Sequence, residues 1–198
     1  MTLFAVRFVV AFTAASFVVS LLSWSRSAGG YIPNVGTSVL IHMVVHAVFG
    51  AVAALPTRRP GPILAMATCS MLIDIDHLAY FLGWPVPTRG SHSLLFLVVG
   101  PTLMAAMARA GLFGKGASPR LAAGMAFSAT LAHLAWDAFT GSEARAPLWL
   151  PFSTVPFALS ATLGSMLEIV AVAVMWLTTL SEGRRSRPRV SRSSPLQS

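Results

Sequence analysis

The chain has 198 residues, 55% of them hydrophobic and 10% charged, with a formal net charge of +8. A soluble domain carries roughly 25% charged residues, so this balance, with a mean hydropathy of +0.72, excludes an ordinary soluble domain. The positive surplus is no nucleic-acid footprint: Arg184, Arg185, Arg187, Arg189 and Arg192 gather in a Ser/Pro-rich tail, a composition that stays disordered and suits anionic headgroups.

A hydrocarbon core about 30 Å thick takes roughly 20 apolar residues per spanning helix. Spans are predicted at 3–22, 38–56, 62–82, 92–108, 120–140 and 157–180, separated by Pro, Gly, Arg and Ser. The expected fold is therefore all-α: a polytopic membrane protein, a bundle of about six transmembrane helices. A membrane domain is expected over 1–182 and a basic cytoplasmic tail over 183–198. The first span exceeds a signal-peptide apolar core in length and no small-residue cleavage site follows it, so it reads as a retained helix.

The second span carries His42 and His46, four residues apart and so on one helical face. The third ends in Asp74, Asp76 and His77; Asp74 and His77 share a face, whereas Asp76 points elsewhere unless the helix unwinds there. Cys69, the one cysteine, lies in the same apolar run and reads as a small buried hydrophobe; a disulfide framework is excluded. Arg89 follows in a loop, and His92 opens the fourth span. The fifth closes with His133 and Asp137, again four apart, and Glu168 lies about a dozen residues into the sixth. Trp24, Trp84, Trp149 and Trp176 fall near span ends and read as interfacial belt residues.

Lys and Arg set the orientation. Arg58, Arg59, Arg109, Lys115, Arg120 and the tail arginines fall on one side, against Arg26, Arg89 and Arg145 on the other. Both termini are then cytoplasmic, and five helices bring their polar groups to the outer half of the bilayer. Each intramembrane ionisable residue costs on the order of 2.5–3.5 kcal/mol on insertion scales, so function is the default reading. The carboxylates lack basic partners within the spans apart from Arg7, at the opposite end of the first helix. The balance asks for a cation. Imidazole with carboxylate suits zinc, manganese or iron, and seven or eight candidate ligands exceed what one tetrahedral ion uses. Two neighbouring ions suit attack of an activated water on a phosphoester.

These motifs resemble a known family. Ile73-Asp74-Ile75-Asp76-His77 is similar to the P-D-x-D-H segment of the YdjM-like (LexA-binding, inner membrane-associated) metal-dependent hydrolases, with Ile73 in place of Pro. Arg89-Gly90-Ser91-His92-Ser93-Leu94 resembles their R-G-x-T-H-S-L element, one residue shorter, with Thr88 where a His often precedes it. His133 to Asp137, followed by Thr140, Gly141 and Pro151, matches H-x-x-x-D-x-x-T, and His46 with Gly50 resembles an early H-x-x-x-G. The resemblance implies a multi-pass hydrolase of a bacterial-type inner membrane. Its metal ligands would be His46, Asp74, Asp76, His77, His92, His133 and Asp137. A more distant similarity to zinc-dependent phospholipase C and P1-type nucleases would add Glu168.

On this reading Asp74 or Asp76 serves as general base and Arg89 as clamp for an anionic group. The expected cofactor is zinc, manganese or iron, as one or two ions. The expected partners are membrane lipids and a lipid or lipid-linked phosphoester, with no nucleic acid. His42 reads rather as interhelical glue, Glu168 equally as a ligand or a helix–helix hydrogen bond, and Ser93 and Thr140 as partners orienting the ligands. Two rivals stand beside hydrolysis. A metal-ion or proton transporter needs polar groups in the inner half of the spans, which are lacking, and a non-catalytic adaptor would hold a structural metal.

Overall fold

The computed structural model describes residues 3–22, 37–75, 90–139, 145–146, 148–149, 157–158 and 160–185. Among these, six α-helices follow one another: α1 (Leu3–Leu22), α2 (Thr37–Ala54), α3 (Pro60–Leu72), α4 (Leu94–Arg109), α5 (Pro119–Phe139) and α6 (Ala161–Arg185). Each corresponds to one expected apolar run. The third tightens into a 3₁₀ turn at Ile73–Ile75, and the rest of its apolar run lies outside the described residues. The sixth starts later, because Phe157–Ala158 pairs instead with Arg145–Ala146 in a two-residue antiparallel bridge.

Two of the helices are long and apolar enough to cross a membrane by themselves, Leu3–Leu22 and Ala161–Arg184. The others are shorter or less apolar because they give positions to small residues and to the polar cluster. Apolar side chains also cover the outside. Ile41, Val98, Ile169, Leu177 and Trp176 are each more than half exposed, a distribution that soluble domains avoid.

The bundle is organised around α5, whose buried face is built from Ala122, Gly124, Ala126, Ser128, Ala129, Ala132, Ala135 and Ala138. Small residues let helix backbones approach closely where lipid removes the hydrophobic drive for association. Ser128 Oγ donates to the Ala171 carbonyl of α6 at 3.0 Å. Gly164 of α6 sits against the Ala135 carbonyl and Ala138, so a Cβ there would clash. The end of the bundle where α1 begins is filled by larger groups, with Phe4, Phe8 and Phe113 packed edge-on or stacked, and midway along α1 Phe12 packs edge-on to Phe96. Arg7 donates there to the Leu112 carbonyl at 3.4 Å. The last turns of α1 lie at the other end, where Ser16 and Ser20 hydrogen-bond the Ile73 carbonyl and Ser91.

Candidate metal centre

Polar residues converge at that second end. Because neighbouring helices alternate in direction, the early turns of α2, the exit of α3, the entry to α4 and the last turns of α5 share one level. His42 and His46 come from α2, Asp74 from the 3₁₀ turn after α3, His92 from a 3₁₀ turn over Gly90–His92, and His133 and Asp137 from α5. His46, His92 and His133 are fully buried, and Asp74 and Asp137 nearly so.

The two carboxylates are shared between two pairs of imidazoles. Asp74 Oδ2 lies 3.3 Å from His46 Nε2 and 3.8 Å from His42 Nε2, and Asp137 Oδ1 lies 3.4 and 3.6 Å from the same nitrogens. The opposite oxygens face the other pair. Asp74 Oδ1 is 3.1 Å from His92 Nε2 and 3.5 Å from His133 Nε2, and Asp137 Oδ2 is 3.5 Å from both. Within each pair the nitrogens also meet, at 2.9 Å for His42–His46 and 2.8 Å for His92–His133. Each carboxylate thus offers one oxygen to each side.

The donor set suits a divalent cation. Three groupings place ligand atoms within 4.8 Å of one another: His42, His46 and Asp74; His46, His133 and Asp137; Asp74, His92 and His133. Nitrogen with carboxylate oxygen is the chemistry of zinc and its neighbours. The buried His/Asp cluster can therefore bind metal.

Contacts behind the ligands fix how the rings present themselves. The Ser70 carbonyl can only accept, so the 2.7 Å bond to His133 Nδ1 puts the proton on Nδ1 and turns the Nε2 lone pair to the centre. Ser91 Oγ donates to the Ile73 carbonyl and lies 3.1 Å from His92 Nδ1, an arrangement that lets Nδ1–H donate and frees Nε2. The His46 ring stacks on that of His133, centroids 3.8 Å apart and 9° from parallel. Ser70 and Ser91 escape sequence reasoning, since each acts through its place beside a ligand rather than through a motif of its own. Ser93, expected to orient a ligand, instead caps α4, its hydroxyl accepting from Phe96 N–H. Thr140 lies outside the described residues.

Of the residues expected to form the site, His46, Asp74, His92, His133 and Asp137 come together, joined by His42. Asp76, His77 and Arg89 lie outside the described residues. Glu168 joins none of these groupings among the described residues. It lines a shallow apolar groove with Ile169, Val172, Ala173 and Trp176. Its carboxylate oxygens have no hydrogen-bond partner among the described residues. Cys69 is free and buried, as its surroundings in the sequence imply.

The chain matches the family described as YdjM inner membrane protein over residues 37–191, a stretch that contains every residue of the centre. No curated protein and no solved structure matches it. With most of its length covered, the chain belongs to the YdjM inner membrane protein family.

Proposed function

We propose that this protein is a membrane-bound, metal-dependent hydrolase acting on a phosphoester, most simply a lipid or lipid-linked one. One observation carries the reading: two buried carboxylates each divide their oxygens between two pairs of imidazoles, the donor set of a two-ion centre. Zinc is the ion best suited, with manganese or iron as alternatives. Two such ions, when bound, supply an activated water and neutralise charge on the attacked phosphoryl group. His46, His92, His133, Asp74 and Asp137 would hold them. Both Asp74 oxygens already face imidazoles, which leaves the base role to Asp76, and Arg89 remains the assigned anion clamp.

Placement supports a lipid-adjacent substrate. Arg58, Arg59, Arg109, Lys115, Arg120 and Arg184 lie at the helix ends away from the centre. By the positive-inside rule that end is cytoplasmic, so six spans put the centre in the outer half of the bilayer. Reporter fusions test this: a C-terminal alkaline phosphatase is expected inactive and a C-terminal fluorescent protein bright, and the reverse pattern overturns the orientation.

The functional test uses the purified full chain in detergent, loaded with zinc or manganese. It should cleave phosphate esters of a short-chain lipid panel. His133→Ala and Asp137→Asn should lower the rate by at least about 100-fold, the scale on which a removed catalytic group reads out. Metal-loaded protein inert on the whole panel would refute hydrolysis, and metal flux into vesicles, lost in the same variants, would put a transporter in its place.

A further inference from the structure

By distance alone, His42 belongs among the ligands. Its hydrogen bonding argues otherwise. Trp136 Nε1, which can only donate, sits 3.0 Å from His42 Nδ1. Nδ1 must therefore carry the lone pair, and in a neutral imidazole the proton is on Nε2, the nitrogen that faces Asp74, Asp137 and His46. A protonated nitrogen cannot ligate. His133 is the opposite case: its Nδ1 meets a carbonyl, and its Nε2 lone pair is left for a cation. The two rings face the same centre with opposite tautomers, each fixed by the chemistry of the group behind it.

Exposure points the same way. The His42 side chain is 31% exposed, whereas His46, His92 and His133 are closed off completely. His42 stands where the centre opens.

We infer that His42 is a hydrogen-bond donor rather than a metal ligand, its Nε2–H held by Trp136 toward an oxyanion entering at the open side of the centre. This rests on the metal-centre reading above. His46, Asp74 and Asp137 would then be the protein ligands of an ion on that side, leaving room for the oxyanion, as catalytic rather than structural sites do. The role requires no change in the protonation of His42. The ligand class is a phosphate-like oxyanion, whether free or as a lipid headgroup.

The test reads metal and anion binding separately, on full-length protein in detergent. Cobalt titration should give His42→Ala the wild-type metal count with affinity within about threefold, whereas His46→Ala loses one ion per chain. Binding of inorganic phosphate, and of a short-chain phosphatidic acid in parallel, to the cobalt-loaded protein should weaken roughly tenfold in His42→Ala, the scale of one hydrogen bond to a charged group. The tighter of the two probes identifies the source. In Trp136→Phe the lock on Nδ1 is gone, so His42 can offer Nε2 as a ligand, and the cobalt absorption should shift as a nitrogen ligand is added. Nitrogen-15 NMR of the wild-type histidines, which needs no variant to fold, should show His42 protonated at Nε2. A proton on Nδ1 instead, or loss of an ion in His42→Ala equal to that in His46→Ala, overturns the inference while leaving the metal centre standing. Wild-type protein that binds no cobalt overturns both.

Discussion

Asp137→Asn is expected to lower affinity for divalent metal by at least about 100-fold, with Asp74→Asn close behind. Outer partners of metal ligands typically cost 10–100-fold when removed, and these residues stand one step closer. Asn keeps the shape of Asp but replaces one oxygen with an NH₂ group and removes the charge. Because each carboxylate faces both imidazole pairs, a single substitution harms both sides of the centre. Two unit charges 4 Å apart interact by about 4 kcal/mol at an effective dielectric of 20, already more than two decades of affinity. Thermal unfolding gives a second readout. A ligand at about 100 times its Kd stabilises the folded state by ~2.7 kcal/mol, so added zinc should raise the melting temperature of the wild type and leave Asp137→Asn unmoved. Affinity within tenfold of wild type, with the same zinc-induced shift, would remove these carboxylates from the centre.

The helices were legible in the sequence because their signal is composition over some twenty residues, which neighbours hardly alter. Element ends were less legible. Nothing in the run through Ile73-Asp74-Ile75 announces that α3 stops at Leu72 and tightens, since the cause is tertiary: the Ile73 carbonyl is taken by Ser16 and Ser91 from two other segments. The centre itself was readable as pairs. His133 with Asp137 and His42 with His46 each share a face by spacing alone, and both pairs meet in the fold.

Glu168 shows where that reasoning stops. It lies deeper in its span than the other polar groups, in the same half of the bilayer, but depth does not fix rotation about the helix axis. Which groups a side chain meets is decided by how the helices pack, and Glu168 joins none of the ligand groupings among the described residues. Trp136 was passed over for a related reason. What marks it is the atom its indole N–H reaches, His42 Nδ1, which spacing cannot reveal.

Gly50→Val should damage the centre nearly as much as loss of a ligand, although Gly50 carries no chemistry. The glycine lies one helical turn beyond His46, on the same face of α2, where α2 runs against α3. A Cβ there would sit 2.7 Å from Ser70 Cβ and collide with the Met66 carbonyl. Neither obstacle is the far end of a flexible side chain, so the helices must part. Overpacking of this kind costs about 1–3 kcal/mol, which a denaturant or thermal scan will register. The consequence for metal is indirect but specific. Ser70 supplies the carbonyl that orients His133, and His46 stacks on His133. Moving α3 away from α2 therefore disturbs both rings together, and metal affinity should fall by about 10–100-fold, the cost of a lost orienting partner. Gly183→Ala is the control: a Cβ there meets nothing within 4 Å, so stability should hold or rise by up to ~1 kcal/mol from helix propensity, with metal binding unchanged. If Gly50→Val binds metal like Gly183→Ala, close approach of α2 and α3 is not what holds the histidines, and the glycine of the H-x-x-x-G motif needs another explanation.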